Sequence, residues 1–407
     1  MSEQLKPELR FPEFDGDWGE TTFDSHYSFK PTNSFSRDKL NYEAGTVKNI
    51  HYGDIHTEFD LLFDVTKEKV PFINDDVNIE NIDDENYVQK GDLVIADASE
   101  DYADIGKAIE VINTNNERLL AGLHTFLARR EDDEVAEGFF AFLLNTYKAR
   151  YEIMRIAQGT KVLGLSKNRL GEIPLYIPEP NEQQKIANFL KAIDKRIKLL
   201  KAKKDALEEY KTSIMQKLFA QEIRFKQDDG SDFPEWEEKR IDEIFDVTRG
   251  NVLAVPEMSD LQTEEYKYPV YSSQTKLDGL TGYYKEFLYQ DAITWTTDGA
   301  NAGEVKFRKG KFYCTNVCGV LLSTDGYANS CIAQLLNKVT HRYVSYVGNP
   351  KLMNNVMAGV KIEFPHTDEQ AKIAEFIDSI KVKVDALSYK IEEIENYKES
   401  VLQKMFV

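Results

Sequence analysis

A 42-residue stretch occurs twice in this 407-residue chain, 187 residues apart and without a gap. Residues 178–219 read PEPNEQQKIANFLKAIDKRIKLLKAKKDALEEYKTSIMQKLF and residues 365–406 read PHTDEQAKIAEFIDSIKVKVDALSYKIEEIENYKESVLQKMF, with 17 of 42 positions identical. In the first copy the apolar residues are Ile186, Leu190, Ile193, Ile197, Leu200, Leu207, Ile214 and Leu218. In the second they are Ile373, Ile377, Ile380, Val384, Leu387, Ile391, Ile394, Val401 and Met405. Steps of four and three are the seam of a coiled coil. No Pro or Gly interrupts either seam, so each copy predicts a helix about 55 Å long at 1.5 Å per residue. A chain with two similar halves is suited to a target that itself has two halves.

Asn181 and Asp368, each after a proline and beside acidic residues, are expected as helix caps. Lys211 and Lys398 break the seam at matching places, next to Tyr210 and Tyr397, and Lys204 breaks the first helix alone. Lysine stems can lie along apolar surface while their heads reach water, and such breaks can fix register. An apolar stripe must be covered. Two stripes in one chain point to the helices pairing with each other, while separate packing on neighbouring domains stays open.

A shorter echo precedes each half. Leu9-Arg10-Phe11 and Trp18-x-x-x-x-Phe23 match Ile223-Arg224-Phe225 and Trp236-x-x-x-x-Ile241, and FPEF at Phe11 matches FPEW at Phe233. The chain reads as lead-in, variable domain and long helix, twice. The boundaries are 1–177, 178–220, 221–364 and 365–407. In the first variable domain TVKNIHYGDIHTEF and YVQKGDLVIADAS read as strands with Gly-Asp turns, and residues 138–159 as one helix. In the second, YKYPVYSSQTKLDGLTGYYKEF reads as aromatic strands between turns. DAITWTTDGANAGEVKFRKGKFYCTNVCGVLL reads as a β-meander, and ANSCIAQLLNKVTHRYVSYV contains a helix. The two variable domains do not align with each other, as expected if each reads a different target.

The net charge of −19 is unusual for a nucleic-acid binder. It is unevenly spread. Residues 1–178 hold 34 Asp+Glu against 19 Lys+Arg, residues 244–364 hold 12 of each, and residues 179–225 hold 7 against 11. DNA binding would therefore use local patches, with much of the phosphate attraction coming from a partner. Cys314, Cys318 and Cys331 are too few for a disulfide framework and fit a reducing cytoplasm. With His341 they match no zinc-ligand spacing. The polar, acidic start does not read as a signal peptide, and no apolar run has the length of a membrane span.

The ordered set of motifs resembles the specificity subunits of type I restriction–modification systems, over nearly the whole chain. The resemblance rests on the two P-x-x-x-E-Q-x-K-I-A-x-F starts at Pro178 and Pro365, the Q-K-x-F ends at Gln216 and Gln403, and the FPE lead-ins. The stretches 50–56 and 91–95 also look like segments of that family. It implies an α+β fold of two globular target-recognition domains separated by a long antiparallel two-helix coiled coil, pseudo-twofold duplicated. It implies that each domain reads one half of a bipartite, asymmetric site in double-stranded DNA. It implies a non-catalytic, cytoplasmic chain with no cofactor of its own. Its partners would be two modification subunits using S-adenosylmethionine, and in the full complex restriction subunits using ATP and Mg. No membrane is implied.

Base reading calls for amide, guanidinium and hydroxyl groups on loops. The candidates in the second domain are Ser272, Ser273, Gln274, Thr275 and Lys276, then Thr296, Thr297 and Asn301, with Lys306, Arg308, Lys309 and Lys311 as a phosphate patch. In the first domain they are Lys30, Thr32, Asn33, Ser34 and Arg37, then Thr160 and Lys161, and Lys167, Asn168 and Arg169. Ordinary solvated turns would look the same. Asp298, Glu304 and Lys306 only faintly resemble a nuclease metal site. The chain has no G-x-x-x-x-G-K-[ST] phosphate loop and no Asn-Pro-Pro-Tyr run, and its six histidines show no nucleophile triad. A coiled-coil scaffold that binds no DNA is the alternative reading, favoured somewhat by the acidic first half.

Overall fold

The computed structural model describes residues 5–273 and 276–407. The fold is α+β, and its contacts divide the chain into two units. One holds the residues up to Lys201 together with Lys390–Val407, and the other holds Ala202–Tyr389. The long helices run over Pro180–Phe219 and Thr367–Lys404, so each helix gives its start to one unit and its end to the other. The helices begin at Pro180 and Thr367, so Asn181 and Asp368 stand in the first turn and are not the caps. Pro180 suits a first helical position because its missing N–H would have no partner there.

Within the first unit the helices pair antiparallel. Lys398 reaches Asp194 at 2.5 Å and Lys201 reaches Glu395 at 2.7 Å. Within the second unit, Tyr210 packs against Phe376 with ring centroids 6.2 Å apart. The separate-packing alternative is thereby set aside. The seam residues Ile186, Leu190, Ile193, Ile197, Leu200, Leu218, Ile373, Ile377, Ile380, Ile391 and Val401 are buried, while Leu207, Ile214, Val384, Leu387 and Ile394 are half-buried. The ends are buried more deeply because a domain packs over them. Where only one helix faces another, part of each side chain stays wet.

The first unit contains a five-stranded sheet in the order Tyr27–Lys30, Thr125–Arg130, Leu93–Ala96, Ala108–Asn113, Leu62–Asp64. All neighbours are antiparallel except the last pair. A four-stranded sheet, Arg118–Ala121, Val47–Ile50, Phe72–Ile73, Leu40–Asn41, accompanies it. Between them lies a core that includes Ile50, Phe63, Val94, Val111 and Leu127. Two local expectations fail here. Residues Tyr52–Thr57 form a helix and not a strand, because the His51 side chain accepts a hydrogen bond from Gly53 N at 3.1 Å and caps it. Residues 138–159 form two helices, Phe139–Leu143 and Tyr147–Ile156. At the break Asn145 donates back to the Ala141 carbonyl and Thr146 accepts from Ala149 N, which gives the backbone alternatives to a continuous helix.

The second unit contains a six-stranded sheet in the order Asp246–Arg249, Cys318–Leu322, Tyr289–Thr296, Val305–Cys314, Tyr268–Tyr271, Leu280–Tyr284. The expected meander is corrected. Tyr289–Thr296 and Val305–Cys314 form a hairpin, but Cys318–Leu322 returns to the far side of the first of these strands. Gly319 lies opposite Trp295 in that pairing, and a Cβ there would stand 2.1 Å from the indole, so the large ring dictates a glycine. Helix Ser330–Thr340 covers the sheet, with Leu336 and Ile332 in a core shared with Trp236, Ile373 and Ile377.

The repeated motifs have one mechanical meaning. Each lead-in pairs with the strand that enters the helix, Gly19–Thr22 with Pro174–Ile177 and Glu237–Arg240 with Lys361–Phe364. Arg10 grips Glu182 through two bonds of 2.7 Å, and Arg224 grips Glu369 at 3.1 and 2.7 Å. The next residue, Gln183 or Gln370, donates to the carbonyl of Pro178 or Pro365 at 2.9 or 2.8 Å. The Q-K-x-F ends close the frame. Phe406 packs on Trp18 and Phe139, Leu9 N donates to Lys404 O, and in the second unit Phe219 packs on the core.

Candidate DNA interface

The residues nominated in the first domain are unequally available. Asn33 is tied down, donating to Asn49 Oδ1 at 2.7 Å and to the Ala121 carbonyl at 3.0 Å. Thr32 donates to the Thr125 carbonyl, and Lys30 lies 3.8 Å from Glu85. Arg37 is held by Asp54 at 2.6 and 3.0 Å, and by Tyr42. Burial and the neighbouring Arg37 push the His51 imidazole below its ordinary pKa, which keeps it neutral and able to cap its helix. Ser34, Thr160, Lys161, Asn168 and Arg169 are exposed, and Lys167 lies over the Phe126 ring.

In the second domain Ser272 bonds Thr315 through its hydroxyl, and Ser273 is half-buried. Gln274 and Thr275 lie outside the described residues, and the backbone of Lys276 begins a short turn. Thr296, Thr297 and Arg308 correct the expectation of projecting groups. Thr296 and Thr297 are buried at the end of a central strand, with Thr297 donating to the Val317 carbonyl. Arg308 is buried beneath the surface, 3.8 Å from the Tyr271 ring centroid and bonded to Thr294. Lys306 is engaged by Asp278 at 2.8 Å and Glu304 at 2.9 Å, so the phosphate patch is reduced to the exposed Lys309 and Lys311, the latter over the Phe287 ring. Asn301 is half-buried in the turn before Glu304.

Other chemistry is equally local. Cys314, Cys318 and Cys331 are buried free thiols, and burial pushes Cys318 up to about 11 and the other two higher still. Among the described residues no group of three or more His, Cys, Asp or Glu could hold a metal ion. Thr21, His26 and Asp132 form a hydrogen-bonded line of 3.0 and 2.7 Å that the spacing of the histidines did not suggest. It ties a lead-in strand to the domain, with His26 buried against Phe140. No described helix is long and apolar enough to cross a membrane.

One electrostatic signal was legible in the sequence but hidden by the totals. Ten of the twelve acids in 244–364 lie before Val305. Residues 305–362 then hold eight Lys+Arg and only Asp325. In the first domain residues 153–171 hold Arg155, Lys161, Lys167 and Arg169 with no acid. A strongly acidic chain thus carries one basic window in each domain, free of acids over 153–171 and holding only Asp325 over 305–362, both next to the start of a long helix.

Two dissimilar sheets held on one duplicated frame match known proteins. The family described as Type I restriction modification DNA specificity domain matches residues 47–209 and again 234–396. A putative type I specificity subunit of Mycoplasma pneumoniae, an N-terminal portion, is 36% identical over 143 residues, covering 34% of this chain and 75% of that protein. A second from the same organism is 29% identical over 211 residues, 51% of this chain and 83% of its own length. The crystal structure of a type I restriction–modification S subunit from M. genitalium superposes with a TM-score of 0.66 at 16% identity, covering 99% of both chains. The family match does not favour the DNA-free scaffold. The chain belongs to the type I restriction–modification DNA specificity subunits, with two specificity domains in one polypeptide.

Proposed function

We propose that each target-recognition domain reads one half of a bipartite, asymmetric duplex site, and that the paired long helices set the gap between the halves. The observation that carries this is the contrast between a repeated frame and unlike contents. The Arg–Glu clamp, the Gln bond and the helix seam occur twice, while a five-stranded and a six-stranded sheet of different strand order fill the two domains. A frame that occurs twice offers the same docking surface twice, which suits two copies of one partner. These partners are modification subunits that transfer a methyl group from S-adenosylmethionine to adenine, joined in the full complex by restriction subunits that use ATP and Mg. The chain itself does no catalysis and works in the cytoplasm. The helices bring their own outward groups to that surface, including Leu199, Val382 and Tyr389, each more than half exposed. Half-sites one helical turn apart call for readers roughly 34–36 Å apart, within reach of a helix of about 60 Å.

Mapping methylated adenines across the genome with and without this gene tests the reading. A split, asymmetric motif is expected to disappear on deletion and to return with the gene. A motif that persists unchanged, or one that is continuous, contradicts it.

A further inference from the structure

The duplication extends further in space than in sequence. Residues 158–177 and 345–364 keep the 187-residue offset but share only Leu165/Leu352 and Asn168/Asn355. The structure nevertheless repeats element by element. Helices Lys167–Gly171 and Asn354–Ala358 correspond at that offset, as do strands Pro174–Ile177 and Lys361–Phe364.

Ahead of them, each domain forms a seven-residue hairpin at the same offset. In the first domain, Gln158 and Gly164 exchange backbone hydrogen bonds of 3.0 and 2.8 Å. In the second, Ser345 and Lys351 exchange bonds of 2.8 and 2.9 Å. Each hairpin is fastened beside the end of an interior strand of its sheet. Leu165 N donates to Asp97 O, just after Leu93–Ala96. Leu352 N donates to Thr297 O, just after Tyr289–Thr296.

The fastenings are alike, but the tips are not. The first tip presents Thr160, Lys161 and Val162, the last 55% exposed. The second presents Tyr346 at 69% exposure and Val347 at 92%. An aromatic and a branched apolar side chain raised this far into water gain nothing for the fold. Both tips lie in stretches whose sequence holds no acid, 153–171 and 326–362, the second beside Arg342 and beside Lys351, whose ammonium is 3.5 Å from Asp298.

Resting on the reading above, we propose that these matched hairpins, 158–164 and 345–351, are the elements that each domain lays against DNA. The tips meet base edges or thymine methyl groups and the nearby cations meet phosphates. A fixed stem with an interchangeable tip lets one frame read different half-sites. An apolar tip such as Tyr346-Val347 also suits wedging at a base step.

Opposite charges at position 347 test the proposal without disturbing the core. The full chain, assembled with its modification subunits, is titrated with a duplex carrying the motif mapped for the unaltered chain. Val347→Glu is expected to weaken binding at least tenfold and Val347→Lys to hold or tighten it. Glu and Lys variants that both bind within twofold of the unaltered chain would overturn it. Methylation maps give a second readout. Tyr346→Ala is expected to relax one half of the motif only, and Thr160→Ala with Val162→Ala the other half. Maps identical to the unaltered chain's would also overturn the assignment. An unaltered complex that shows no bipartite motif would instead sink the functional reading, and the hairpins with it.

Discussion

Replacing Glu369 by Ala is expected to destabilise the second unit by about 3 kcal/mol, because it leaves a half-buried guanidinium and the buried Trp236 N–H without their shared acceptor. The carboxylate is fully buried. It accepts two hydrogen bonds from Arg224 and a third from Trp236 Nε1 at 2.9 Å. Arg224 has few other places to turn. It also donates to the Pro234 carbonyl and lies 3.7 Å from the exposed Glu235 carboxylate, and only 18% of its side chain is exposed. Scanning calorimetry of the intact chain should show an unfolding midpoint lowered by on the order of 10 °C. Glu182→Ala removes the equivalent clamp in the first unit, where Arg10 is held at 2.7 Å. Its cost should be smaller by roughly 1 kcal/mol, one hydrogen bond, since Trp18 Nε1 has no partner there. A loss below about 1 kcal/mol at Glu369 would be that of an exposed ion pair, and would contradict the clamp as the fastening between lead-in and helix.

Glu110→Gln is expected to change how stability depends on pH. Glu110 is buried in the middle of the first unit and accepts a hydrogen bond from Gly138 N at 2.6 Å. Burial raises its pKa from 4.5 to about 7, against the opposing pull of that bond, Lys191 and Arg130. The folded chain therefore keeps a proton that the unfolded chain has already released. This contribution is complete below pH 4.5 and is lost as pH rises through about 7. The loss amounts to about 3 kcal/mol. Gln carries no charge at any pH, so the variant should gain on the parent by about that amount between pH 5 and 8.5, as read by urea unfolding at each pH. Parallel stability curves for the two chains would show that the carboxyl reaches water or another cation.

The division between what the residues announced and what they concealed has physical causes. The long helices were plain because a seam of apolar residues at steps of four and three has few other uses. The lead-in echo was visible, but its purpose was not. Arg10 and Glu182 are 172 residues apart in sequence, and nothing local marks them as partners. Tyr52–Thr57 was misread because alternating residues around a Gly-Asp pair suggest a turn, whereas the His51 cap acts through a side chain. The order of the second sheet was misread because Cys318–Leu322 pairs with a strand that lies two strands earlier in sequence. Among the candidate DNA contacts, polar residue type was a poor guide. Thr297 and Arg308 spend their donors inside the fold, on the Val317 carbonyl and the Thr294 hydroxyl, while the exposed Val347 is a residue type that polarity does not nominate. The absence of acids over 326–362 was the better signal, because phosphate repels carboxylates wherever they stand.

The central claim is that the helices measure and the domains read. Seven residues added to the seam of each long helix preserve the heptad and lengthen the rod by about 10 Å, or roughly three base pairs at 3.4 Å each. Methylation mapping of this variant should return both half-sequences unchanged with a longer gap between them. An altered half-sequence with the gap unchanged would contradict the account.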